Sequence, residues 1–377
     1  MTEIAIAATT PATRLAALLA SSHTPRELDV YRGMLTHRQL DAPIVETAAL
    51  VSGAAVHDLG WLRRVAVRGE DRFRWLSGMV TNIVNDLAPN AGAWNLVLNA
   101  QGRIQGDLAV WREGDRLELE IAADQYERLV AHLDRFIIMD DVELVPVEGE
   151  TALGLTGPLA ADVLGRLSLP GLADPMTSTR VEWNGFELRF FRGYGVFAQH
   201  FEIWTPNAGL ERLWHSLCSA GAIPVGSASL DALRIAEGIP VYGIDMVERD
   251  LPQETSQMRA ISFNKGCYLG QEIVERIHSR GNVHRHLRQL ELTGPVPAPG
   301  AELSLPDDAA AKPAGHITSA AELQISGATR IFALGMIREE AEFRRQPFAY
   351  TAGTVTGSAR ILAVPESLHP EEIGNKP

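Results

Sequence analysis

Leu62-Arg63-Arg64-Val65-Ala66-Val67-Arg68 runs into Gly69-Glu70-Asp71 and then into a segment carrying Phe73, Leu76, Met79 and Val80. The first seven residues read as a strand and the next three as a turn. The apolar residues that follow are spaced along one side of a helix. Downstream, 95–98 and 107–111 read as the strands of a hairpin around Asn99-Ala100-Gln101-Gly102-Arg103. Residues 117–121 add a strand, Asp124 is placed to cap a helix from Gln125 to about Phe136, and 142–147 returns as a strand. A similar order then recurs. Leu153-Gly154-Leu155-Thr156 leads into a helix with Leu159, Val163 and Leu164. Two strands follow at 187–192 and 200–205, and then a helix around 210–220 with the stripe Leu213, Trp214 and Leu217. Two helix-on-sheet halves of comparable length predict an α+β fold with an internal pseudo-repeat.

Outside this region, residues 1–50 read as a helical lead-in, with Leu15, Leu18 and Leu19 at helical spacing. After Leu287 the chain turns Pro- and Gly-rich with short strands at 288–292, 331–336 and 359–364, the pattern of a small β-barrel over 287–365. Residues 366–377 read as a mobile tail. Across 377 residues, 46% are hydrophobic and 21% charged, and the formal net charge is −13. That composition is globular rather than disordered, and its acidity disfavours broad binding to nucleic acid or anionic membrane. Cys218 and Cys267 are the only cysteines, so the chain has no disulfide framework and no CxxC. A short apolar run at 15–20 without a basic region before it is a poor secretory signal, and no stretch approaches the ~20 apolar residues of a spanning helix. A cytoplasmic protein is expected.

The strongest local motif is Lys265-Gly266-Cys267-Tyr268-Leu269-Gly270-Gln271-Glu272. A Cys just before a helix start and two residues from a Lys sits where thiolate is favoured. The same residues also suit a tight turn whose Cys is merely a small side chain, and both readings stay open. The glycines imply a backbone that something approaches closely. Arg276, His278, Arg280, His284, Arg285, His286 and Arg288 form a basic stretch, read either as an anion dock or as a solvated strand. Two His on one strand face make only a weak case for metal, and no metal site is expected. Asp107 enters an otherwise apolar strand, as either a turn cap or a functional acid. Gly193-Tyr194-Gly195 superficially resembles a dinucleotide fingerprint, but strand-like sequence rather than a helix follows it. Glu202 lies among Phe201, Ile203 and Trp204 on a strand, and Arg234 lies at helical spacing from Leu230 and Leu233. They suit either a buried Arg–Glu pair or a ligand site in which a carboxylate accepts two parallel N–H bonds from a 2-aminopyrimidinone edge.

With these residues in view, the chain resembles a known family. The run 265–272 is similar to the signature of the YgfZ family of folate-binding proteins. That family is a branch of the superfamily of the glycine-cleavage T-protein, an aminomethyltransferase, and has iron–sulfur assembly counterparts in mitochondria. Ser279-Arg280-Gly281, Glu237-Gly238-Ile239-Pro240-Val241-Tyr242-Gly243, Leu251-Pro252-Gln253-Glu254, Val56-His57-Asp58-Leu59-Gly60 and Thr81-Asn82 add to the likeness, which covers about residues 35–365. The resemblance implies a T-protein-like folate-binding module over 51–286, two pseudo-repeated halves around a central cavity, followed by the barrel. It implies tetrahydrofolate or a one-carbon derivative as cofactor, with Glu202, Arg234, Lys265, Tyr268 and Gln271 binding it and Cys267 and Asp107 as the chemical groups. The transferase branch carries two adjacent Asp where this chain has Gly106-Asp107, and it lacks the cysteine motif. Both departures favour a tetrahydrofolate-binding accessory protein for synthesis or repair of iron–sulfur clusters in client enzymes, possible clients including radical enzymes that thiolate tRNA. The alternative is a folate-dependent aminomethyltransferase or demethylase moving a one-carbon unit from an amine to tetrahydrofolate. Folate and iron–sulfur clients are the expected partners, with neither direct nucleic-acid contact nor membrane.

Overall fold

A computed structural model describes residues 10–20, 27–196, 198–281, 283–306, 312–325 and 327–362. The lead-in comprises α1 (Arg14–Ala20), the strands β1 (Leu28–Tyr31) and β2 (Met34–His37), α2 (Pro43–Ser52) and β3 (Ala55–Asp58). It is therefore not purely helical: β1 and β2 pair as a hairpin turning at Arg32-Gly33. The expected tail, 366–377, lies outside the described residues.

The pseudo-repeat is present in full. The first half runs β4 (Leu62–Arg68), α3 (Arg72–Met79), β5 (Ala91–Leu98), β6 (Ile104–Glu113), β7 (Arg116–Ala122), α4 (Ala123–Asp134) and β8 (Glu143–Val147). The second half runs β9 (Glu150–Thr156), α5 (Ala160–Arg166), β10 (Thr177–Trp183), β11 (Phe186–Arg192), β12 (His200–Pro206), α6 (Leu210–Ser219) and β13 (Ile223–Pro224). The sequence reading missed β10, whose Thr177-Ser178-Thr179-Arg180 start lacks an apolar run. Asp124 does not cap α4. Its carboxylate pairs instead with Arg32 at 3.4 Å.

Among the described residues these strands form one sheet in the order β13-β3-β9-β12-β11-β10-β5-β6-β7-β4-β8. Each half lays its strands out alike, β5-β6-β7-β4-β8 against β10-β11-β12-β9-β13, with β3 inserted beside β13. The halves join where Thr177 of β10 pairs with Ala91 of β5. In a flat sheet β12 and β4 would stand roughly 29 Å apart at ~4.8 Å per strand. Arg64 of β4 nevertheless lies 3.9 Å from Glu202 of β12. The sheet therefore folds back so that its halves face each other. Outside it, α5 and α6 pack Val163, Leu164, Leu213 and Leu217 onto Leu155 and Phe201.

The chain divides into two compact units. One takes in the chain to Asn95 together with Leu108–Leu230. The other takes in the hairpin tip Leu96–Asp107 and the chain from Asp231 onward. The second unit contains the last part of α7 (Ser227–Ala236), then α8 (Gln271–Arg280), and a six-stranded sheet. Its elements are β14 (Arg285–Thr293), β15 (Glu302–Leu303), β16 (Gly315–Ile325), β17 (Ala328–Arg338), the short helix α9 (Glu339–Glu342), β18 (Phe348–Ala352) and β19 (Val355–Ile361). The order β15-β16-β17-β14-β19-β18 nearly closes into a barrel. Ser304, following β15, bridges Ala349 of β18 with N–H···O bonds of 2.9 and 2.8 Å. Leu290, Ile317, Ala333 and Phe348 fill its interior. No helix among the described residues is long and apolar enough to cross a membrane.

Phe191 stands where the folded-back halves of the first unit meet, its ring centroid 4.8 Å from that of Trp111 on β6. Phe191→Ala is expected to lower stability by ~3–5 kcal/mol in chemical denaturation, the cost of emptying a buried aromatic site.

Candidate functional site

Strand alternation builds a polar nest inside the fold of the sheet. Glu118 and Glu120 point to the same side of β7, because residues two apart share a face. The register of β7 on β4 sets Glu120 opposite Arg64. The Arg64 Nη2 donates to Glu120 Oε2 at 2.5 Å, and its Nη1 lies 3.7 Å from Glu118. Its guanidinium carbon stands 3.9 Å from the centroid of the Phe191 ring and 4.8 Å from that of Trp204. From the other half, Arg189 of β11 donates to Glu113, Glu118 and Glu150, and Arg180 of β10 pairs with Glu113 at 2.7 Å. Arg64, Glu118, Glu120, Arg189 and Glu202 are all buried.

Glu202 is the exception within this nest. Its Oε2 has no hydrogen-bond donor among the described residues. Burial, and then the neighbouring Glu120 charge, hold its carboxyl well above the usual carboxylate range, with Arg64 opposing them. Next along β12, His200 shares the Thr156 hydroxyl with His57, at 2.7 and 2.9 Å respectively, and the two imidazoles stack 5.7 Å apart. Burial pushes His200 down to about 4 and lowers His57 as well.

Each residue singled out in the sequence has a definite place. Glu202 belongs to the first unit, and Arg234 to the second. Arg234 donates to Asp231 and Asp245, each at 2.6 Å, and Asp245 also accepts the hydroxyls of Thr318 and Ser319. The guanidinium is thus paired with acids as the bland reading expected, but these are Asp231 and Asp245. Asp107 is half-buried on β6, within the hairpin tip that belongs to the second unit.

The 265–272 motif proves to be partly a backbone device. Gly270 has φ +82°, and a Cβ there would lie 2.5 Å from the Asn99 carbonyl oxygen. The hairpin turn is therefore what approaches the glycine so closely. Gln271 Oε1 accepts the Tyr268 N–H at 3.3 Å and fixes the start of α8. Cys267 is exposed. Burial pushes Lys265 down to about 8, and its ammonium sits 5.2 Å from the centroid of the Tyr268 ring, so it is a weaker support for a thiolate than its position suggested. Tyr268 is buried, and its hydroxyl has no hydrogen-bond partner among the described residues. Part of the basic stretch is spent on ion pairs: Arg285 with Asp250 and Glu254, and His286 and Arg288 with Glu342. Sequence reasoning missed Arg64, Glu118, Glu120 and Arg189. The one signal for Glu118 and Glu120 is charge alternating with apolar residues along 116–122, while Arg64 and Arg189 show only as charges within strand-like runs.

A family model described as the GCVT N-terminal domain matches residues 29–265. The chain belongs to the GCVT family. Similar to this GCVT chain is a putative chloroplastic transferase of Arabidopsis thaliana, 26% identical over 280 residues, 72% of this chain and 62% of that protein. An aminomethyltransferase of Chlorobium chlorochromatii is 28% identical over 258 residues, 65% of this chain and 70% of that protein. The crystal structure of the glycine cleavage system aminomethyltransferase T from Bartonella henselae superposes with a TM-score of 0.83 at 19% identity, covering 95% of this chain and 98% of that one. The GCVT chain thus shares the T-protein fold.

Two measurements check this geometry. His200 has its folded-state pKa below the ordinary imidazole value, so the unfolded chain takes up a proton first as pH falls. The stability tied to its neutral form is complete above about pH 6.5 and is lost progressively as pH falls toward 4. His200→Gln should therefore gain on wild type in unfolding free energy as pH is lowered from 7 to 4.5. Gly270→Ala, strained by its φ and blocked by the Asn99 carbonyl, is expected to cost at least ~1 kcal/mol in thermal unfolding.

Proposed function

We propose that this GCVT-family chain transfers a one-carbon unit from an amine donor to reduced folate, as an aminomethyltransferase-type enzyme. One observation supports this beyond the fold: the buried acceptor Glu202 Oε2, with no donor in bonding contact and the Arg64 guanidinium 3.9 Å away. An unpaired buried acceptor fits a ligand edge that brings N–H donors, and a pterin edge does so in the fork geometry of a bidentate pair. In this reading Glu202 grips that edge. Lys265 and Tyr268 remain folate-binding candidates on the 265–272 motif, the buried phenol having bonding capacity left. Gln271 and Arg234 serve mainly as supports, since their side chains already hold the start of α8 and Asp245. Asp107 is the acid–base group that protonates the departing amine nitrogen. Tetrahydrofolate, when bound, supplies the nitrogens that receive the carbon.

The purified protein is expected to form methylenetetrahydrofolate and release amine when given tetrahydrofolate and an aminomethyl donor. Asp107→Asn should lower kcat by about 10²-fold or more with folate affinity retained, as for loss of a general acid. Folate binding without turnover from any amine donor would overturn the transferase reading. It would favour instead a YgfZ-type accessory role in iron–sulfur cluster synthesis or repair, for which the exposed Cys267 thiol is the supporting observation. In that case Cys267→Ala should fail to restore cluster-enzyme activity in cells lacking the protein.

A further inference from the structure

The charges of the nest do not match. Facing one another inside the folded-back sheet are three guanidiniums, Arg64, Arg180 and Arg189, and four carboxyl groups, Glu113, Glu118, Glu120 and Glu202. Glu150, at the rim, draws further on Arg189 at 2.9 Å. Glu113 has both Arg180 and Arg189 in bonding contact, Glu118 has Arg189, and Glu120 has Arg64 at 2.5 Å. Glu202 is left with Arg64 at 3.9 Å and a bare Oε2. Two buried carboxylates around one guanidinium cannot both stay ionised cheaply, and the one without the close cation is the one that takes a proton. The other titratable and charged groups facing Glu202 do not change this assignment. On β12 itself, His200 Nε2 lies 3.9 Å from Oε1, and this imidazole is held neutral by burial. Beyond it are His57 on β3, linked through Thr156, and Arg192 on β11, which acts on His200.

We propose that Glu120, clamped by Arg64, is a positioning residue that keeps one proton on Glu202, and that a ligand edge presenting two N–H donors binds by expelling that proton. The inference rests on the reading of Glu202 as the ligand-facing acid. The exchange balances: the carboxylic acid gives up its proton to solvent, and the carboxylate that remains accepts two N–H bonds from the ligand. Beside Glu202, whose side chain keeps 9% of its surface exposed, that of His200 keeps 24%. The neutral acid has an O–H where the ligand needs an acceptor. The site therefore discriminates against edges that cannot repay the proton's removal, and affinity rises with pH up to the midpoint of Glu202.

The test follows the Glu202 carboxyl carbon by NMR in the ligand-free full chain, with 13C-labelled glutamate assigned through Glu202→Gln. The wild-type midpoint is expected about one pH unit or more above that of an exposed glutamate, a tenfold or greater preference for the proton. In Glu120→Gln it should fall by about one unit, and Glu120→Asp should restore it. A wild-type midpoint in the ordinary glutamate range overturns the proposal, with no variant needed. A raised midpoint that Glu120→Gln leaves unchanged overturns the role of Glu120. Calorimetry with tetrahydrofolate in two buffers of different ionisation heat, below the wild-type midpoint, should show release of about one proton per folate bound. Binding without proton release overturns the exchange. Absence of binding at every pH overturns the folate reading instead, while the carboxyl titration still decides where the proton resides.

Discussion

The guanidinium of Arg64 is where the first unit is held shut. It reaches from β4 across the folded-back sheet to the ring of Phe191 and to Glu202 on strands of the opposite half, while Glu120 and Glu118 hold it from β7. A fully buried cation survives only where carboxylates and the faces of aromatic rings replace the water it has lost. Here they do so from both halves at once. Removing it would strand several acids inside a low-dielectric interior, a loss of ~3–5 kcal/mol by the usual cost of breaking a buried pair. The same dependence runs outward: the position of Phe191 follows from stacking on Arg64, and the approach of β12 follows from Phe191, which is registered opposite Glu202.

The strands and the pseudo-repeat were legible because their signal is local. The strand-like run Leu62–Arg68 and the alternation in Arg116–Ala122 are each visible within seven residues, and the hairpin around Asn99–Arg103 carries its own turn residues. The same alternation misleads about the nest. Charged residues at every second position of an antiparallel strand normally mark a solvated face. In this chain Glu118 and Glu120 read that way. Only the pairing of strands far apart in the sequence, which no local pattern encodes, turns their face inward. Arg189 was hidden for the same reason, whereas Glu202, lying between Phe201 and Ile203, stood out as a carboxylate among apolar residues.

The motif at 265–272 shows the reverse case, a strong sequence signal of mixed origin. Its second glycine answers to geometry, since the hairpin turn lies against it, and its glutamine fixes a helix start. Those two residues would be required whatever the chemistry. The cysteine and the half-buried lysine are not explained in that way. Arg234 is similar: helical spacing placed it correctly, but its partner Asp245 lies in a loop that no periodicity singles out. A guanidinium bound by Asp231 and Asp245 is rigid and already neutralised, which makes it a better scaffold for the second unit than a catcher of anions.

A site for one-carbon transfer has to solve a problem of proton placement. The amine nitrogen must gain a proton as the carbon leaves it, while the folate nitrogen that takes the carbon must lose one. Water would supply both, but it would also hydrolyse a reactive one-carbon unit, so protons have to be stored on side chains in a dry interior. In the proposed reading that store is Asp107, whereas the carboxyl group held away from its cation beside Arg64 gives up its proton when the ligand binds. The mismatch costs stability, because a perfectly paired nest would be the tighter core. Within the nest four carboxyl groups meet three guanidiniums, and Glu202 is the one left without a close cation.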